Sequence, residues 1–142
     1  NHFEASNSPM PVGRQLTGIF SISFFEEAIG VISGGEYNKP DSSLTSFATS
    51  QDRGKTWKPF RTSKPIFGSC VQIKGKDEFY VTGSGGTFMC SLSKGLATEL
   101  KDKAGNELNY TTLSFSPGGK ALWLAGDNGS IALIKLNTDT NK

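Results

Sequence analysis

The chain has 142 residues, 35% of them hydrophobic, with 17 glycines and a formal net charge of +2. That length suits one domain, and the low apolar fraction with many glycines points to short elements joined by turns. So weak a positive balance leaves no footprint for nucleic acid or a membrane surface, and no apolar run approaches the ~20 residues that cross a bilayer.

Residues 1–17 open with the polar "NHFEASNSPMPVG" and read as a leader or an edge-pairing segment. The first residue is Asn1 and no signal segment is visible, so the sequence reads as a processed or trimmed chain. Lone His2 lies in this flexible or edge-pairing segment, and no metal role is expected of it. "GIFSISFF" (18–25) then alternates Ile and Ser before an aromatic pair, as a half-buried strand does. Glu26 and Glu27 occupy a solvated turn, and "IGVISGG" (29–35) is a compact apolar strand ending on glycines. "EYNKPDSS" (36–43) is an insertion, "LTSFATS" (44–50) a third strand and "TWKPF" the start of a fourth.

The same meander recurs in "FGSCVQIKGKDEFYVTGSGG" (67–86) and "YTTLSFSPGGKALWLAGDNG" (110–129). Gly34, Gly83 and Gly126 hold matching places, 49 and 43 residues apart. Such a period fits a four-stranded propeller blade. The expected architecture is an all-β propeller segment with blades at 18–65, 66–108 and 109–136, the last incomplete, and a tail at 137–142. "GSGGT" (83–87) and "GDNGS" (126–130) lead into no helix and match no phosphate-binding fingerprint, so they read as hairpin turns. Asp127 is expected to cap its own turn. Cys70 and Cys90 form no CxxC and sit in apolar strands, as ordinary free cysteines do.

"SQDRGKTW" (50–57) places an acid, two cations, a glycine and a tryptophan in eight residues. Each has a structural task. The Asp52 carboxylate can accept N–H groups across a turn, Gly54 can take a positive φ, and Trp57 can lay its ring on the sheet. Ser50 matches Ser91 of "SLSKGLAT" (91–98), and Gly54 matches Gly95. There Ser93 replaces Asp52 and Thr98 replaces Trp57, so this copy is expected to form a weaker hairpin. A turn is echoed in this way from repeat to repeat; a catalytic loop rarely is.

"SQDRGKTW" resembles the Asp-box, or bacterial neuraminidase repeat, of sialidase-like β-propellers. With "GVISGGEYNKPD", "FGSCV" and "TTLSFSPGGKALWLAGDNGSIALIKL" in that order, residues 20–136 are similar to the photosystem II stability/assembly factor-like propellers and their bacterial relatives. Some of those relatives are labelled only as oxidoreductases, a label that no motif here supports. The resemblance implies the C-terminal half of a propeller of six or seven blades, roughly twice this length or more. It implies a non-catalytic binding or assembly scaffold for protein partners. The alternative is a glycan-binding or sialidase-like glycoside hydrolase propeller. Against that reading, the chain holds only Arg14, Arg53 and Arg61 to grip a carboxylate, and Tyr37, Tyr80 and Tyr110 stand without an obvious paired glutamate.

Candidate contact residues come from two stretches. Tyr37, Lys39 and Asp41 project from the insertion, a common place for partner contacts. Arg53, Lys55 and Arg61 belong to a run from 53 to 64, with Lys58 and Lys64, that contains no acid and could steer an acidic partner. The plainer reading is a variable loop for the first and a solvated blade edge for the second. No catalytic residue, cofactor or metal is expected, and glycan remains a possible ligand. The open ends are expected to be completed by a missing N-terminal half, which the resemblance favours, or by a second copy. A periplasmic or extracellular setting is expected.

Overall fold

The computed structural model describes residues 1–10, 16–41 and 46–137. Arg14, Ser42, Ser43 and the expected beginning of the third strand at Leu44 lie outside them. Strands follow one another as β1 (Thr17–Phe25), β2 (Ile29–Glu36), β3 (Phe47–Ser50), β4 (Lys58–Phe60), β5 (Cys70–Ile73), β6 (Glu78–Gly83), β7 (Gly86–Ser91), β8 (Ala97–Leu100), β9 (Thr112–Phe115), β10 (Ala121–Ala125) and β11 (Ile131–Lys135). They form antiparallel sheets in the orders β1-β2-β3-β4, β5-β6-β7-β8 and β9-β10-β11. Among the described residues the third sheet has three strands where the others have four.

Two-residue periodicity divides each sheet into a face toward the next sheet and a face toward the previous one. Val31, Phe47, Ile66, Val71, Ile73, Phe79, Val81, Phe88, Cys90 and Ala97 make the core between the first two sheets. Tyr80, Leu113, Leu122 and Leu124 make the core between the second and third. The innermost strands meet at the centre. Ser21 and Ser23 of β1 accept the backbone N–H groups of Val71 and Ile73 of β5, each at 3.1 Å. Between the later sheets the Thr82 and Thr87 hydroxyls lie 2.7 Å apart, and they donate to the carbonyls of Tyr110 and Leu108. Neither hydroxyl is exposed, so these bonds replace the water each side chain loses.

The repeating glycines have a steric cause. A Cβ on Gly34 would collide with the Gly18 carbonyl oxygen, and one on Gly83 with that of Phe67. At Gly126 the nearest atom is the Tyr110 Cα, 3.2 Å from such a Cβ. At each of these places the chain entering an innermost strand crosses close to the strand beside it.

Candidate functional site

At the β3–β4 turn, buried Ser50 donates its hydroxyl to Asp52 Oδ1 at 2.8 Å and accepts the Gly54 N–H at 2.9 Å. Asp52 then accepts the Thr56 N–H on Oδ1 (2.9 Å) and the Thr56 hydroxyl on Oδ2 (2.6 Å). Arg53 and Gly54 take positive φ values of 62° and 79°, which lets the turn close around the carboxylate. The Thr56 hydroxyl and N–H, followed by the Ser50 hydroxyl, hold the Asp52 carboxyl down at about 2. It stays ionised as a fixed acceptor and has no proton to give near neutral pH. Half-buried Trp57 packs edge-on to Phe24, with ring centres 5.9 Å apart, and its indole N–H donates to the Ser6 hydroxyl at 3.3 Å. Ser6 in turn donates to the Gly54 carbonyl at 2.8 Å.

The β7–β8 turn is built differently from what its sequence implies. The aspartate absent at position 93 is replaced by Asp77, from the turn between β5 and β6. Asp77 accepts the Ser93 N–H at 2.6 Å and the Ser91 hydroxyl at 2.9 Å. The Ser93 hydroxyl and N–H hold its carboxyl below the usual aspartate range. The expected weakening is therefore offset, because the lost anion is restored from the neighbouring turn.

The candidate contact residues are not brought together. Tyr37, Lys39 and Asp41 sit on the β2–β3 connection, while Arg53 and Lys55 sit on the β3–β4 turn at the other end of β3. Exposed Arg61 follows β4, and its carbonyl lies beside Gly95 of the next sheet's turn. Lys39 pairs with Glu36 at 3.8 Å. Tyr37 is half exposed, and its ring meets buried Phe67 edge-on at 5.5 Å.

Phe20 of β1 packs on the same Phe67 at 5.1 Å and is partly exposed. It does so because the β1–β2 register slips between Ile19 and Ser21, and this bulge turns Phe20 out of the alternation. A register slip between two strands is not carried by the hydrophobic pattern of either strand alone.

Other reactive groups have structural partners. Tyr80 donates to Glu78 at 2.7 Å, and burial followed by that carboxylate pushes its hydroxyl pKa up. Burial pushes the Cys90 thiol up to about 12, so it is a poor nucleophile at neutral pH. Cys70 is half-buried, with its sulfur 3.6 Å from the Leu113 carbonyl oxygen. Gly83–Thr87 forms the β6–β7 hairpin, and Asp127–Gly129 forms a single 3-10 turn before β11.

No family model matches the sequence, and no curated protein matches it. Solved structures do match. Hydrazine synthase of Kuenenia stuttgartiensis superposes over 84% of this chain with a TM-score of 0.59 at 14% identity. YCF48 bound to a D1 peptide superposes over 94% with a TM-score of 0.58 at 17% identity. The chain spans 34% and 40% of the lengths of those two chains. At such identities the likeness is one of fold. Taken with three successive antiparallel sheets that meet along their innermost strands, it makes the chain an all-β segment of a β-propeller.

Proposed function

We propose that the chain is a non-catalytic, protein-binding propeller scaffold that engages its partner through the β2–β3 connection of the first sheet. The observation that carries this reading is the aromatic platform there. Phe67 is fully buried and anchors two partly exposed rings, Phe20 of β1 and Tyr37 of the β2–β3 connection, which also carries Lys39 and Asp41. Rings held by a buried neighbour lose little entropy when a partner covers them, and tyrosine is enriched where proteins meet. YCF48 offers a precedent of fold, since it was solved with a peptide bound. The cations Arg53, Lys55 and Arg61 are separate from the platform and serve, on this reading, to draw in an acidic partner.

A peptide array probed with the purified chain tests the reading, beside a fluorogenic sialoside assay and a glycan array. The expected result is peptide binding that Tyr37→Ala reduces at least tenfold, with no sialoside turnover. Turnover abolished by replacing a single acid, or binding to glycans alone, would overturn it.

A further inference from the structure

In the first two sheets the β1–β2, β3–β4, β5–β6 and β7–β8 turns lie at one end, and the β2–β3 connection with its platform lies at the other. The two ends use their charges differently. At the platform end Lys39 pairs with Glu36, and Lys101 with Glu99. At the turn end Lys74 pairs with Glu78, but exposed Arg53, Lys55, Lys58 and Lys76 form no ion pair with a described residue. The aspartates among them are committed within their own turns, Asp52 to Ser50 and Thr56, Asp77 to Ser91 and Ser93.

These turns leave a groove of about 180 Å³ between the first and second sheets. Its floor is Ile29, Phe60 and Leu92, which are partly buried and pack on the core between the two sheets. Thr49 and Gln51 stand on one side of it, Lys76 and Asp77 on the other. A second hollow, of about 250 Å³, shares Thr49 and Gln51 with the groove and extends it to Lys58. The track therefore has an apolar floor, hydrogen-bonding walls and a cation without an ion pair on either side.

The charge pattern selects the occupant. Exposed cations attract acidic groups, but Asp52 and Asp77 stay ionised among them and would repel an unbroken run of phosphates. A peptide can place carboxylates against Lys58 and Lys76 and leave the space beside each aspartate free of charge. The apolar floor calls for a side chain, which neither a phosphate backbone nor a lipid headgroup supplies. Strand addition is disfavoured at this edge, because β4 is the outermost strand and Pro59 within it has no N–H to give. Side chains must therefore hold the peptide.

We propose that this groove is a second binding site, which takes an acidic peptide segment of a partner protein. One apolar side chain of the segment rests on Ile29, Phe60 and Leu92, and flanking carboxylates pair with Lys58 and Lys76. The buried side chain supplies most of the affinity, since ion pairs at an exposed rim contribute little. The cations set the association rate and reject basic segments. This inference goes beyond the platform reading: the groove lies at the opposite end of β3 from Tyr37, and neither site needs the other.

Fluorescence anisotropy with a labelled peptide of aspartate and glutamate around one central leucine tests it. The peptide should bind wild type, and Lys76→Glu or Lys58→Glu should weaken that binding about tenfold. Both lysines are exposed, so the variants should fold as wild type does, which circular dichroism checks. A peptide with serine in place of the leucine should also bind about tenfold more weakly, and Tyr37→Ala should bind the original peptide unchanged. Four results would each overturn the proposal: no binding by wild type, equal binding by folded Lys76→Glu, equal binding of the serine peptide, or loss of binding in Tyr37→Ala. Tighter binding of polyuridylate or of phosphatidylglycerol vesicles than of the peptide would likewise overturn it and make the surface a general polyanion site.

Discussion

Asp77 reaches from the β5–β6 turn to Ser93 on the β7–β8 turn and takes its backbone N–H at 2.6 Å. An anion that the first sheet places inside its β3–β4 turn is supplied in the second sheet from another turn, against the same kind of donor. Asp77→Ala should therefore lower the melting temperature and speed amide exchange at Ser93 and Lys94. Adding Ser93→Asp should recover part of that loss, since position 93 corresponds to Asp52. Exchange rates that do not change in Asp77→Ala would show that the turn closes without the carboxylate.

Asp52 makes the acid limb of stability predictable. Its folded pKa is about 2, below the ordinary value of 3.8. A group depressed in the folded state stabilises above its unfolded pKa and loses that contribution as pH falls through the folded one. Thermal melts from pH 5 to pH 2 should show wild type losing stability faster than Asp52→Asn between pH 4 and 2. Parallel curves would mean that the Thr56 and Ser50 bonds do not hold the anion in solution.

Trp57 is half-buried, so truncation costs less than in a closed core. Trp57→Ala should lower stability by about 2 kcal/mol, from lost burial against Phe24 and the lost indole bond. Ser6→Ala should cost about 1 kcal/mol, because Ser6 ties the N-terminal segment to both Gly54 and Trp57. Chemical denaturation of the two variants checks the order. A Ser6→Ala effect equal to that of Trp57→Ala would place the energy in the segment, not in the ring.

The repeating glycines separate by severity. Gly34→Ala and Gly83→Ala drive a methyl into a backbone carbonyl and should prevent normal folding, while Gly126→Ala meets only a close Cα and should fold with reduced stability. Circular dichroism of the three variants gives the ranking, and equal tolerance at all three positions would contradict the close-crossing explanation.

Much of this was legible in the sequence because propeller blades repeat. Alternation in "SISFF", the spaced glycines and the Ser-x-Asp-x-Gly turn are local signals, and each reports a local backbone need. The contacts that were not legible are those between repeats. Nothing within "SLSKGLAT" reveals that Asp77 completes it, because that carboxylate arrives from a turn fourteen residues before Ser91. The bulge at Phe20 arises from a register between two strands, which neither strand carries alone. For the same reason, six candidate contact residues close in sequence separate onto different turns once β3 and β4 fold back on each other.

The reading as a binding scaffold rests on Tyr37, and a titration there tests it most directly. An array-selected peptide should be titrated calorimetrically into wild type and into Tyr37→Ala, with the melting curve of each recorded. Tyr37 is half exposed, so the variant should melt within about 1 kcal/mol of wild type while its affinity falls at least tenfold. Equal affinities in two equally stable proteins would contradict the account.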